Sequence, residues 1–166
     1  MISVFRDINK FAKKWKWLDV LAIFCARILP YLMVLFLVIF AIATKNWQII
    51  FFTLLSALIA RFVLNSFIYH FYKEVRPAYI RGANVLIPIP GNPSFPSSHA
   101  AVFSAISFTL FLYNIQIAYV FLALSLLIGV ARVFCGVHWF RDILGGFASG
   151  FLSAIIVYYI LIYLHI

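Results

Sequence analysis

Residues 116–165 read QIAYVFLALSLLIGVARVFCGVHWFRDILGGFASGFLSAIIVYYILIYLH. Two apolar runs lie in this stretch, 116–135 and 141–165, each long enough as a helix to cross the roughly 30 Å hydrocarbon core of a bilayer. Only a short connection near 136–140 separates them, and the ionisable side chains Arg132, His138 and Asp142 gather around it. An acid entering an apolar span is costly and needs a partner. The stretch therefore predicts spanning helices with a polar site at one end.

Working outward, further apolar runs cover about 18–44, 47–72 and 98–113. Arg27 and Pro30 are expected to break the first into an interfacial piece and a spanning piece. The third is short for a span. The expected fold is an all-α integral membrane bundle of five transmembrane spans, with six as the alternative. Before the first run, Phe5, Ile8, Phe11, Trp15 and Leu18 (with Ile2) recur at helical spacing among Arg6, Lys10, Lys13, Lys14 and Lys16. This segment, 1–17, reads as a basic amphipathic helix lying at the interface beside anionic headgroups. Its basic region is too long for a signal peptide, and no small-residue cleavage site follows. The whole of 1–166 is expected to form a single domain.

Composition agrees with a membrane setting. Of 166 residues, 66% are hydrophobic and 10% charged, with a mean hydropathy of +1.10; soluble chains carry about 25% charged residues. A net charge of +9 with four acidic residues would suggest nucleic acid in a soluble protein. Here the hydrophobicity excludes nucleic acid, and membrane lipids and an anionic substrate are the expected partners. Cys25 and Cys135 are too few and too far apart for a disulfide framework or a metal site. The sequence carries no sign of oligomeric state.

One long connection, about 73–97, contains Pro77, Pro88, Pro90, Pro93 and Pro96. Counting spans puts it on the same membrane face as 136–140. Three clusters of reactive residues thus converge: Lys73-Glu74-Val75-Arg76-Pro77, Pro96-Ser97-Ser98-His99, and Arg132 with His138 and Asp142. Ser97, Ser98 and His99 stand at a helix start, where free N–H groups and the helix dipole favour an anion. Arg76 and Arg132 are permanently charged forks suited to phosphate oxygens. His138 and Asp142, four apart, would share a helix face. The carboxylate could then hold one ring nitrogen and leave the other as a nucleophile, with His99 as general acid and base. Nothing acidic clusters so as to hold a divalent ion, so no metal or other cofactor is expected. Arg61 and Asn65 precede Tyr69 at steps of four and read as helix-packing groups, with hydration of the site as the alternative. Gly146 and Gly150, with Ser149 and Ser153, read as a close-packing surface around Asp142. His70 and His165 read as interfacial.

Arg76-Pro77, Pro96-Ser97-Ser98-His99 and Arg132-x5-His138-x3-Asp142 resemble the three signature motifs of the type 2 phosphatidic acid phosphatase family, which includes lipid phosphatases, glucose 6-phosphatase and vanadium haloperoxidases. The resemblance covers about 65–150. It implies a helical bundle and a metal-independent, two-step hydrolysis through a phosphohistidine. By motif position it makes His138 the nucleophile, Asp142 its partner and His99 the acid. Arg76, Arg132, Ser97 and Ser98 become the phosphate cradle. Two positions depart from the pattern. Ser98 stands where the family usually has Gly, and Tyr69 where it usually has Lys. If the helix continued, Tyr69, Lys73 and Arg76 would lie on one face, and Lys73 could supply the missing charge; a headgroup anchor or a partner for Glu74 is the alternative.

The stretches Asn84-Val85-Leu86-Ile87-Pro88 and Ser94 to Ala100 resemble the bacitracin-resistance type of undecaprenyl-diphosphatase, a group tied to cell-wall biogenesis and antibiotic resistance. That favours a polyprenyl diphosphate. The motifs alone do not separate it from phosphatidylglycerophosphate, phosphatidate or lipid A, which present the same terminal phosphate. The same resemblance implies the bacterial cytoplasmic membrane with the site on its outer face, although most Lys and Arg lie on the active-site side and the positive-inside rule points the other way. Two other classes remain open at this stage. A small-anion transporter would put its charges and broken helices near the midplane, and an inactive lipid-binding protein would keep the cradle without the chemistry.

Overall fold

The structure is a computed structural model and describes residues 2–89, 91 and 93–164. Pro90, His165 and the Ile2 side chain, all invoked above, lie outside the described residues. Among the described residues the regular elements are all helical. Helix α1 covers Ile2–Asn9, α2 Lys16–Thr44, α3 Trp47–Phe71, α4 Ser98–Leu110, α5 Ile115–Phe134 and α6 Phe140–Tyr163. Four of them, α2, α3, α5 and α6, are long and apolar enough to cross a membrane. The protein is an integral membrane helical bundle, and the five apolar segments read from the sequence are all present as helices.

Helix α4, with 13 residues, reaches only about 20 Å at 1.5 Å per residue. It is short because it fills the middle of the bundle. Ala100, Ala101, Phe103, Ser104, Ala105, Ile106, Ser107, Thr109 and Leu110 are all buried. Helix α6 closes on it through the small residues read from the sequence. A Cβ on Gly146 would lie 2.6 Å from the Ser97 carbonyl oxygen, and one on Gly150 would lie 2.6 Å from the Ala105 nitrogen. Hydroxyls pair between helices in this dry interior: Ser56 with Ser153 at 3.1 Å and Ser107 with Ser125 at 3.0 Å. Such pairs satisfy groups that lipid and packed side chains cannot.

The expected break in the first span does not occur. Helix α2 continues through Arg27 and Pro30 by widening into a π turn at Phe24–Ile28, where the Leu29 N–H donates to the Phe24 carbonyl. A π turn takes in one extra residue without ending the helix, and Pro30, which has no N–H to donate, follows directly. A second π turn at Ile59–Leu64 widens α3, with the Asn65 N–H donating to Ala60. The basic segment is also not one long amphipathic helix. Helix α1 ends at Asn9, and turns lead to Lys16. Asn9 Nδ2 donates to the carbonyls of Asn84 and Phe134, both at 2.8 Å, and Phe5 meets the Trp139 ring edge-on at 5.1 Å. This segment is therefore tied beneath the 136–139 connection. Cys25 and Cys135 are free and buried in one apolar cluster with Ala131 and Val137.

Candidate active site

Helix α3 stops at Phe71, and Tyr72 is extended. Proline disfavours helix at the residue before it, and Arg76, preceding Pro77, is extended as well (φ −70°, ψ 149°). The helical face expected to carry Tyr69, Lys73 and Arg76 therefore does not exist. Arg76 reaches the site from the connection instead. Its Nε donates to the Gly91 carbonyl at 3.1 Å, one terminal nitrogen to Val137 at 2.9 Å and the other to Pro93 at 3.1 Å. The guanidinium binds the two polar connections together, and it lies 3.0 Å from His138 Nε2.

His138 and Asp142 do meet, though not along a helix face. Helix α6 begins at Phe140, with Trp139 as its N-cap, so His138 sits just ahead of it. Asp142 is in the first turn, and its Oδ2 accepts the Trp139 backbone N–H at 2.9 Å, a capping contact favoured there by the helix dipole. The same oxygen accepts from the Ser94 hydroxyl and lies 3.2 Å from His138 Nδ1. Asp142 is fully buried and His138 nearly so. Burial pushes His138 down to about 4; the hydrogen bond from Asp142 opposes this, and the charges of Arg132 and Arg76 add to it. The ring is therefore neutral near pH 7. Nδ1 is turned to the carboxylate, and the Arg76 terminal nitrogen stands beside the ring, 3.0 Å from Nε2 and 3.3 Å from Nδ1.

Ser97 caps α4, its hydroxyl accepting from the Ala100 N–H at 3.5 Å. That hydroxyl is committed to the helix, whereas Ser98 lines a cavity of about 420 Å³ together with His99, Arg76, Arg132 and His138. Arg132 is buried. One terminal nitrogen reaches the Ala26 carbonyl at 3.5 Å, and its Nε has no partner. The structure thus brings His99, His138, Asp142, Arg76, Arg132 and Ser98 together. It leaves Lys73 exposed and away from the cavity wall. Glu74, weighed above as a partner for Lys73, instead pairs with Arg141.

Three contributors lie outside the set of site residues expected from the sequence. Ser94 binds Asp142. Tyr69 fills the lysine position with a hydroxyl that donates to the Pro96 carbonyl at 2.7 Å and contacts Ser98 Oγ at 2.8 Å. Arg61, read as a packing residue, lines the same cavity as His138. Its spacing of eight from Tyr69 was visible, but the π turn that orients it was not. Asn65, beside it in sequence, is buried with its amide unpaired.

A family model described as the PAP2 superfamily matches residues 47–165. The chain is 29% identical over 161 residues to the bacitracin transport permease protein BcrC of Bacillus licheniformis, covering 95% of this chain and 79% of that protein. It is 36% identical over 87 residues to the undecaprenyl-diphosphatase BcrC of Bacillus subtilis, covering 52% of this chain and 45% of that one. Among solved structures, LpxE of Aquifex aeolicus superposes with a TM-score of 0.78 at 26% identity, over 95% of this chain and 93% of its own. The PAP2-type phosphatidylglycerolphosphate phosphatase of Bacillus subtilis gives 0.68 at 25%, over 94% and 83%. The chain belongs to the PAP2 superfamily, among its membrane-embedded lipid phosphatases.

Proposed function

We propose that this protein hydrolyses the terminal phosphate of undecaprenyl diphosphate through a phosphohistidine on His138. The observation that carries the chemistry is the placement of His138, with Nδ1 at Asp142 and the ring on the cavity wall beside Arg76. The relatives named BcrC support the choice of lipid. In the first step the Nε2 lone pair attacks the terminal phosphorus. The bond from that phosphorus to the bridging oxygen breaks, its electron pair stays on the departing lipid monophosphate, and His99, which takes up a proton when the anionic substrate binds, delivers it to that oxygen. Arg76 and Arg132 neutralise the charge on the transferring group, where electrostatic positioning does most of the work in phosphoryl transfer. In the second step His99, now neutral, takes a proton from water as the water oxygen attacks phosphorus. The N–P bond breaks, orthophosphate leaves, and His138 regains its lone pair.

Arginines supply the positive charge, and no group of three His, Cys, Asp or Glu side chains converges among the described residues. The reading therefore requires no metal. Residues 1–166 act as one catalytic unit, with the basic 1–17 segment at the membrane surface and the site on the extracytoplasmic face. Labelling of Arg81→Cys by an impermeant thiol reagent in intact cells tests the sidedness, since Arg81 is exposed and the native cysteines are buried.

The test of function is phosphate release from a panel of lipids by purified protein in EDTA, with His138→Ala as control. Undecaprenyl diphosphate should be turned over fastest, with metal chelation without effect. Preference for phosphatidylglycerophosphate, phosphatidate or lipid A would overturn the substrate, and full loss in EDTA restored by magnesium would overturn the mechanism.

A further inference from the structure

Next to the cavity that holds His138 lies a second, of about 240 Å³, whose walls include Arg27, Tyr31, Pro88, His99 and Arg132. His99 and Arg132 line both cavities; His138 lines only the first. In an in-line displacement the nucleophile and the departing oxygen stand on opposite sides of phosphorus. A space that contains the proposed acid His99 but not the nucleophile is therefore on the departing side. Arg132, shared by both, is placed to touch the two phosphates of one diphosphate. Its Nε is buried with no partner among the described residues, and burying a guanidinium is costly unless the rest of the group meets an anion in the cavities it lines.

Arg27 adds a charge that only this second space uses. It sits on the π turn of α2, and its exposed side chain takes part in none of the ion pairs among the described residues. π turns recur where a helix must re-aim a functional side chain. Arg27 lies about 26 Å along α2 from Thr44 at 1.5 Å per residue, close to the edge of a hydrocarbon core about 30 Å thick. Beside it Ile28 and Tyr31 are 47% and 75% exposed, so this cavity is rimmed by apolar side chains of a candidate membrane span.

We infer that the cavity at Arg27 is a binding site for the lipid-proximal phosphate of a diphosphate, with the tail leaving past Ile28 and Tyr31. This rests on the reading of His138 as nucleophile and His99 as acid. It assigns to Arg27 the discrimination between diphosphate and monophosphate lipids. A monophosphate seated at His138 leaves Arg27 without a phosphate to bind, whereas a diphosphate fills both spaces. A charge-assisted hydrogen bond is the interaction lost when Arg27 is removed.

The test compares kcat/KM for undecaprenyl diphosphate and undecaprenyl monophosphate in wild type, Arg27→Gln and Arg27→Lys. It also measures inhibition by methylenediphosphonate and by orthophosphate. For Arg27→Gln the loss on the diphosphate should exceed that on the monophosphate at least tenfold, with methylenediphosphonate inhibition weakened about tenfold more than orthophosphate inhibition, and Arg27→Lys should recover part of both. The inhibition arm reads the same binding site even if the monophosphate is not turned over. Equal losses on both substrates and both inhibitors, or no loss, overturn the assignment of Arg27 while leaving His138 chemistry intact. Undiminished phosphate release by His138→Ala would instead overturn the underlying reading.

Discussion

The two sides of the active site are built differently. On the side of His138 and Asp142, the side chains are held by several protein contacts, although Asp142 Oδ1 is buried without a partner among the described residues. Asp142 Oδ2 meets Trp139 N–H, Ser94 and His138 Nδ1, and Arg76 is held by three carbonyls. On the side of His99, Arg132 and Arg61, the side chains line the cavities with fewer protein partners. Arg132 Nε is unpaired among the described residues, with one terminal nitrogen at the Ala26 carbonyl, and the Arg61 guanidinium lies 5.5 Å from the Phe62 ring. Under the proposed mechanism, His138 is pre-positioned before substrate arrives, and the arginines gain partners from the substrate. Substitutions on the first side should mainly lower kcat. Those on the second should act through binding as well, because their interactions form with the anion.

The largest effect is expected at Asp142. Asp142→Asn removes the acceptor that fixes the His138 tautomer, and turnover should fall on the order of a hundredfold or more, with KM little changed in steady-state phosphate release. Near wild-type kcat would erase the distinction between the two sides. On the Arg132 side, Arg61→Met should lower kcat/KM about tenfold, the scale of one charge-assisted contact, while Lys73→Met stays within about twofold in detergent. The opposite order would restore Lys73 as the replacement for the family lysine and remove Arg61 from the cradle. Ser94→Ala should cost several-fold in kcat, since Asp142 keeps its Trp139 and His138 contacts.

Acid should weaken the His138 side through the fold as well. The folded His138 titrates at about 4, below the ordinary histidine value near 6.5. Between those values the unfolded chain binds a proton that the folded one does not, so His138 makes stability fall as pH drops from about 6.5 toward 4. His138→Gln should flatten the decline in unfolding temperature over that window. An unchanged slope would mean that His138 is not held neutral.

Much of the His138 side could be read from the sequence because the spacing of Arg132, His138 and Asp142 survives whichever local geometry joins them. The pair was expected on a helix face and is instead formed across a helix start, yet the same residues meet. The Arg132 side was harder to read. Lys73 was placed by extending a helix that Pro77 and the extended residues before it end early. Arg61 was placed by ideal helical periodicity, which a π turn offsets, and nothing in Ile59-Ala60-Arg61-Phe62 announces that turn. Glu74 found Arg141, a residue far away in sequence that only the folded connections bring near. Spans were legible throughout, because their length and hydropathy are local properties, while α4 could stay short only because its neighbours surround it.

The central claim is that His138 carries the phosphoryl group. Brief reaction with substrate labelled in its terminal phosphate, followed by denaturing quench, should leave a label on the wild-type chain that acid removes and alkali does not, mapping to the peptide containing His138. Asp142→Asn should form it more slowly, and His138→Ala should show none. An acid-stable label, a label on another residue, or phosphate release by His138→Ala at the wild-type rate would contradict the account.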